Sequence, residues 1–329
     1  MALSLASLFV RKDAPEILDR AAFWEHALSC SVVAGQMVRR AGVEDPNQVV
    51  VAGLLHDLGK LVMAYYLPEE YAGILRRAAA ERRSTRDIER EVLGDNHALL
   101  GEALAKRWKL PLEISRCIRY HHVPLSVENL DHATVALVRV ICAADALCKA
   151  AGLGFSGDDL VEEIPERVWN LLSVDQRAAE DAVRVGRRSL LAHKAALGPA
   201  GGAPPAGEEP GIPVLHLLET EQAVTLTGFA LRSAGYSAHL VRSWGDGTRI
   251  LEEHPDIGTV VIESGSPPQQ SRFLETVLRW RKGLPQPGVL FLAPGKRLEA
   301  GLPAAPCLAA CPKPLGTGAL KAAMAAVAS

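Results

Sequence analysis

Five of the ten histidines in this sequence, His26, His56, His97, His121 and His122, fall in its first half with two aspartates, Asp57 and Asp145, in the same apolar surroundings. Imidazole nitrogen and carboxylate oxygen are ligands that zinc, iron, manganese and nickel accept, and the lack of thiolate in this set argues against a structural zinc knot. A single histidine on an apolar stripe is ordinarily a core residue with a hydrogen bond. Asp145 resists that reading, because a buried carboxylate is costly unless it is paired or bound to metal. Several such groups aimed inward from separate helices are most economically satisfied by a cation, so one or two divalent transition metal ions (Fe, Mn, Zn or Ni) are the expected cofactor. Lys60 stands one turn beyond Asp57 in "VAGLLHDLGKLV". Its ammonium is placed to pair with a carboxylate or to hold a substrate phosphate.

The elements that must position these groups read as helices. "RAAFWEHALSCSVVAGQMVRRAG" spaces Phe23, His26, Ala27, Cys30, Ala34, Met37 and Val38 on one face and ends at Gly42. A second helix is expected from about Pro46 to Leu67, too apolar all round for a surface element. Asp95 or Asn96 caps a third, with His97, Leu100 and Leu104 along a stripe. Pro111 opens a fourth, which carries Ile114, Cys117, Ile118 and His121 and closes at Pro124. Val135, Val138, Cys142 and Asp145 align on a fifth that ends near Gly152, and a last helical region runs from about Pro165 to Leu197.

"GPAGGAPPAGEEPG", Gly198 to Gly211, cannot form a core and reads as a linker. Beyond it the period changes. "IPVLHLLE", "YSAHLVR", "IGTVVIE", "GVLFLAPG" and "CLAACPKP" read as strands alternating with helices, the pattern of a parallel sheet covered on both sides. The expected organisation is an all-α domain over residues 1–197, a linker over 198–211 and an α/β doubly wound domain over 212–329.

Bulk properties narrow the function. The 36 Lys and Arg nearly balance the 38 Asp and Glu without a long block of one sign, which argues against nucleic acid or an anionic membrane as partner. "MALSLASLFVRK" lacks a basic residue ahead of its apolar stretch, and no later segment approaches the roughly 20 apolar residues of a membrane span, so a cytoplasmic protein is expected. The six cysteines are dispersed and read as reduced; neither Cys142 and Cys148 nor Cys307 and Cys311 has partners at zinc-site spacing.

His26, the doublet His56-Asp57 and Asp145 resemble the H…HD…D pattern of the HD superfamily of metal-dependent phosphohydrolases. The flanking segments "FWEHALSC", "AGLLHDLGKL", "YLPEEY", "EREVLGDNHALLGEALAKRWKLP" and "IRYHH" look like its HDOD branch, bacterial signalling proteins related to the HD-GYP cyclic-dinucleotide phosphodiesterases. The resemblance runs from about Ala21 to Ala150. It implies metal ligation by His26, His56, Asp57 and Asp145, a second metal at His97, His121 and His122 as in HD-GYP proteins, Asp57 and Lys60 in catalysis, and a nucleotide or cyclic dinucleotide as substrate. The sequence departs from the HD-GYP pattern where "VPLSVENLDHATV" replaces the GYP tripeptide and where Ala22 stands in place of a glutamate. It departs from the HDOD pattern in how little chain precedes Phe23.

The alternating half resembles a response-regulator receiver, a flavodoxin-like fold. Lys313 in "CPKPL" matches the receiver lysine, whereas Glu263 occupies the phosphoacceptor position, Glu219 and Glu221 replace the acidic pair, and Ala293 stands where a hydroxyl belongs. The resemblance therefore implies a receiver that cannot be phosphorylated, with Glu263 and Lys313 as a fixed ion pair; a plain docking or dimerisation module is the blander expectation. Two functions follow. One is a metal-dependent phosphohydrolase with a regulatory pseudo-receiver. The other is a non-catalytic HDOD scaffold that recruits kinases or other regulators.

Overall fold

The computed structural model describes residues 17–41, 45–197, 211–218, 222–263, 288–294, 308–313 and 315–328. The chain divides into two compact units, Met1–Pro205 and Ala206–Ser329. The linker expected over 198–211 lies outside the described residues except for Gly211, as do Gly42, Cys307, Glu219 and Glu221.

In the first unit, α1 (Arg20–Ala41) packs against α2 (Pro46–Leu55), α8 (His132–Ala150) and α10 (Gln176–Leu197). A second set joins α3 (Leu58–Tyr66) to α6 (His97–Arg107), α6 to α7 (Leu112–Tyr120), and α7 to α8. Phe23, Leu55, Leu58, Leu61, Ala105, Ile114 and Ile118 form one apolar cluster between these helices. Met63, Tyr71, Ile74, Ala78 and Ile88 form another, with residues from α4 (Pro68–Glu81) and α5 (Thr85–Leu93). Caps set several starts. Asn96 accepts from the Ala98 and Leu99 amides ahead of α6, and Asp131 accepts from the Thr134 amide ahead of α8.

One expected helix and one expected helical region are divided. The stretch from Pro46 to Leu67 is α2 and α3, parted at His56 and Asp57, where the backbone of Asp57 has φ −100° and ψ 10°. Glycines on either side of the break explain it. A Cβ on Gly53 would lie 2.6 Å from Cα of Ser31 in α1, and a Cβ on Gly59 would lie 2.0 Å from the carbonyl oxygen of His97. Each half is thus drawn against a different neighbour. Pro46–Tyr66 is, at 21 residues, long and apolar enough to cross a membrane, contrary to the sequence reading, but 67% of its apolar window is buried inside the unit. The region from Pro165 to Leu197 is likewise α9 (Glu166–Leu172) and α10, parted at Ser173, whose φ of 53° is left-handed.

The second unit holds a five-stranded sheet. Its strands are β1 (Ile212–Leu218), β2 (Tyr236–Val241), β3 (Thr259–Glu263), β4 (Gly288–Pro294) and β5 (Leu308–Lys313), all parallel, in the order β2-β1-β3-β4-β5. This is a doubly wound order, with the crossover reversing between β1 and β3. Leu215, Leu217, Val260, Ile262 and Val289 cluster on one face with Trp244, Ile250 and Leu251 of α12 (Trp244–Glu253). By alternation Val214, His216, Leu218, Val261 and Glu263 occupy the other face. The helices α11 (Thr227–Ser233) and α13 (Thr317–Ala328) contact each other and the sheet. The helix expected in "SRFLETVLRWRKG" lies outside the described residues.

Candidate metal centre

The break between α2 and α3 decides where the doublet points. His56 faces α1 and α8, whereas Asp57 faces the start of α6 and the end of α7, so two clusters form side by side. In the first are His26, Cys30, His56 and Asp145; in the second are Asp57, His97, His121 and His122. Within each cluster the four ligand atoms lie within 4.8 Å of one another. His56 Nε2, 3.5 Å from Asp57 Oδ2, connects the two. All seven histidines and aspartates singled out in the sequence are therefore gathered in one place, and all are buried but His122, which is half-buried.

In the first cluster, Asp145 Oδ1 lies 3.0 Å from His26 Nε2 and 3.8 Å from His56 Nε2. In the second, Asp57 Oδ1 lies 3.2 Å from His97 Nε2 and 3.6 Å from His121 Nε2, and His97 Nε2 lies 3.0 Å from His122 Nε2. Each carboxylate is held from outside by a lysine. Lys60 Nζ meets Asp57 Oδ2 at 2.8 Å, and Lys149 Nζ meets Asp145 Oδ2 at 3.6 Å. In both, Oδ2 takes the ammonium and Oδ1 faces the imidazoles of its own cluster. This corrects the expectation for Lys60: its side chain is sealed from solvent between Asp57 and Ser156, 3.4 Å away, so it serves the carboxylate and not a substrate phosphate.

Partners on the far ring nitrogens fix the imidazoles. His56 Nδ1 donates to the Gly53 carbonyl at 2.8 Å, and His121 Nδ1 donates to the Ile118 carbonyl at 2.8 Å. His97 Nδ1 donates to Glu89 Oε2 at 2.6 Å, and the same oxygen accepts the His97 amide at 2.8 Å. A carbonyl or carboxylate only accepts, so Nδ1 carries a proton in each ring and Nε2 is the nitrogen turned inward, the arrangement that orients metal-bound histidines. Against the cost of burial, Asp57 raises the pKa of His56 and Glu89 raises that of His97.

Electrostatics follow the same plan. Burial disfavours charge on Asp57, yet Lys60 and then His56 outweigh it and hold the carboxyl well below the usual range. Burial likewise opposes a charged Asp145, and Lys149 with His26 and His56 more than offsets it. Burial pushes His121 down to about 4 and His122 well below the ordinary imidazole value, so both are neutral near pH 7. His26 goes the other way; against the cost of burial, the adjacent Cys30 and then the Asp145 carboxylate lift it to about 9.

These residues fit a metal. His56 Nε2, Asp57 Oδ1 and His121 Nε2 are buried atoms without a hydrogen-bond partner among the described residues. A bare imidazole lone pair beside a carboxylate lone pair is repulsive unless a proton or cation lies between them. Ligands at the usual 2.0–2.2 Å around one tetrahedral ion stand about 3.3–3.6 Å apart, and the separations of 3.0–3.8 Å given above bracket that spacing.

Three participants were not singled out in the sequence. Glu89 sits on α5, a helix not foreseen as separate, and looks like a surface acid in "EREVLGD". Lys149 repeats, at i+4 from Asp145, the lysine that follows Asp57 at i+3, and that spacing was a usable signal. Cys30 stands one turn after His26, with Sγ 3.4 Å from His26 Nε2.

In the second unit, Glu263 ends β3 in a buried ion pair with Lys313, and its Oε2 also accepts from His216 Nε2 at 2.9 Å and Thr225 Oγ1 at 3.3 Å. Burial would raise the carboxyl; His216 and Lys313 outweigh that and hold it well below the ordinary glutamate value. Ala293 pairs with Pro312 along the β4–β5 ladder.

A family model for the HDOD domain matches residues 1–124. The matched region contains every histidine of the centre and Asp57, begins ahead of Ala21 and stops before Asp145. An uncharacterised protein of Treponema pallidum (strain Nichols) is 29% identical over 178 residues, 52% of this chain and 32% of that one. A ribonuclease Y of Thermus thermophilus is 32% identical over 126 residues, 38% of this chain and 16% of that one. The chain spans about a third or less of the length of these curated relatives. An HDOD domain protein of unknown function from Geobacter sulfurreducens is similar in structure at 27% identity, with a TM-score of 0.44 over 59% of this chain and 63% of that one.

Proposed function

We propose that the helical unit is a metal-dependent phosphohydrolase centre of HD type, carried by a signalling protein whose α/β unit is a receiver that cannot be phosphorylated. The unpartnered, buried His56 Nε2 of the first cluster, with Asp57 Oδ1 and His121 Nε2 of the adjoining second, carries this reading. His26, His56 and Asp145 would hold one divalent ion, and Asp57, His97, His121 and His122 a second. A divalent ion so held supplies a bound water of lowered pKa and neutralises charge on the phosphoryl oxygens. The chain does the rest. Glu89 and the carbonyls of Gly53 and Ile118 set the tautomers, and Lys60 and Lys149 turn one oxygen of each aspartate inward.

His122 marks the open side of the centre, and Arg86 lies there with Nη1 3.4 Å from the His122 carbonyl and Nη2 3.1 Å from Glu162. We assign the contact with a substrate phosphate to Arg86 and not to Lys60, since Arg86 lies beside the half-buried His122 whereas Lys60 is sealed from solvent. A nucleotide or cyclic dinucleotide is the substrate class we assign; the likeness to a ribonuclease, which acts on phosphodiester bonds, supports that bond type.

The strand order β2-β1-β3-β4-β5 and the positions of Glu263 and Lys313 at strand ends support the receiver assignment. Glu263 already engages Lys313, His216 and Thr225, which suits a fixed state. A cytoplasmic setting and partners among kinases or regulators belong to the same proposal.

Burial of six of the seven ligand residues favours a second reading, a structural metal in a scaffold without turnover. The metal-loaded chain should release product from a panel of nucleotides, cyclic dinucleotides and simple phosphoesters, and Asp57→Ala should abolish it. Bound metal with no turnover of any of them favours the scaffold.

A further inference from the structure

We propose that Cys30 is a ligand of the first metal position, which is thereby a sulphur, nitrogen, nitrogen and oxygen site and not one of nitrogen and oxygen alone. This rests on the metal reading above and reverses the expectation that no thiolate takes part. Cys30 follows His26 by four residues on α1, so both project from one face one turn apart. Its sulphur lies 3.4 Å from His26 Nε2 and belongs to the group, with His56 and Asp145, whose ligand atoms are all within 4.8 Å of one another. A sulphur at about 2.3 Å and a nitrogen at about 2.0 Å from one tetrahedral ion stand about 3.5 Å apart, the separation Cys30 and His26 already have within 0.1–0.2 Å.

A second observation points to a ligand at the same place. His56 Nε2 is sealed from solvent, has its other nitrogen committed to the Gly53 carbonyl, and has no hydrogen-bond partner among the described residues. Four groups from α1, the α2–α3 break and α8 thus close a small set around one focus, and one of the four makes no hydrogen bond through its inward nitrogen among the described residues. Coordination by Cys30 would displace the thiol proton.

The consequence is selectivity. A thiolate makes the first position softer than the second, where Asp57, His97, His121 and His122 offer only oxygen and nitrogen. The first position should therefore prefer zinc or cobalt(II) over manganese or magnesium, and the second should be less discriminating.

The test is the absorption spectrum of the full chain after removal of metal by chelator and titration with cobalt(II) under reducing conditions. The wild type should show an intense near-ultraviolet thiolate-to-cobalt band alongside the weaker visible bands of the ion. Cys30→Ser should keep the visible bands and lose the near-ultraviolet one, while Cys117→Ser, whose sulphur meets the Leu137 carbonyl instead, should keep both. Visible bands without the near-ultraviolet band in the wild type overturn the Cys30 assignment and leave the metal reading standing, whatever the folding of the variants. Persistence of the band in Cys30→Ser overturns it as well. No cobalt uptake by the wild type overturns both.

Discussion

Glu89 shows how much of the centre depends on a residue that would never touch metal. Its carboxylate accepts both the ring and the amide of His97 and also meets the Tyr71 hydroxyl at 3.4 Å. Glu89→Gln places an amide there that can offer the ring nitrogen a donor as readily as an acceptor, and the tautomer is no longer fixed. Metal affinity should fall about 10- to 100-fold, the usual effect of removing such a partner, and a competition titration against a chromophoric chelator reads it. Glu263 gives a prediction with a sign. Its folded pKa is depressed, so its contribution to stability is present above the ordinary glutamate value of about 4.3 and is lost as pH falls below it. Glu263→Gln should lower the stability of the α/β unit by about 3 kcal/mol at neutral pH, the low end for breaking a buried pair, and flatten its loss in acid. Denaturant melts at pH 7 and pH 3 check both halves, and an acid dependence in Glu263→Gln equal to that of the wild type is the contrary result. The sequence made the seven histidines and aspartates legible because charged or polar groups on apolar stripes are conspicuous. Cys30 and Glu89 were hidden for the opposite reason. A cysteine on an apolar stripe looks like core, and a glutamate among charged neighbours looks like surface.

At the level of elements, the break between α2 and α3 does what a continuous helix could not. Successive residues on one helix point about 100° apart and share its axis, whereas the break lets His56 and Asp57 serve different clusters. The apolar pattern of "VAGLLHDLGKLV" runs through the break unchanged, which is why the sequence reads as one helix there. The cause is tertiary: Gly53 and Gly59 let backbones approach that no side chain would permit. Gly59→Ala puts a methyl 2.0 Å from the His97 carbonyl oxygen and must push α3 from the start of α6. A loss of about 1–3 kcal/mol is expected from thermal or denaturant melts, with weaker metal binding through the displaced His97. Gly73→Ala, where nothing lies within 4 Å, is the control and should be neutral or slightly stabilising.

For the whole molecule, the chain joins a unit with a concentrated polar centre to an α/β unit in which Glu263 is closed by its own lysine and histidine. Domain order was legible from the change of hydrophobic period and the Gly, Pro and Ala stretch between. The closing of Glu263 by His216 was not, because a histidine in the middle of "IPVLHLLE" carries no sign of which strand it will face. Ligand binding to the folded state alone stabilises it in proportion to the logarithm of concentration over affinity, so a chelator should lower the melting temperature of the helical unit and leave that of the α/β unit unchanged. The central claim is that the helical unit is a metal centre, and elemental analysis of the purified full chain tests it most directly. At least one transition metal ion per chain is expected, lost in His56→Ala and Asp57→Ala proteins that remain folded by circular dichroism; metal at no more than trace level in the wild type, with the two variants as stable as the parent, would rule the metal centre out.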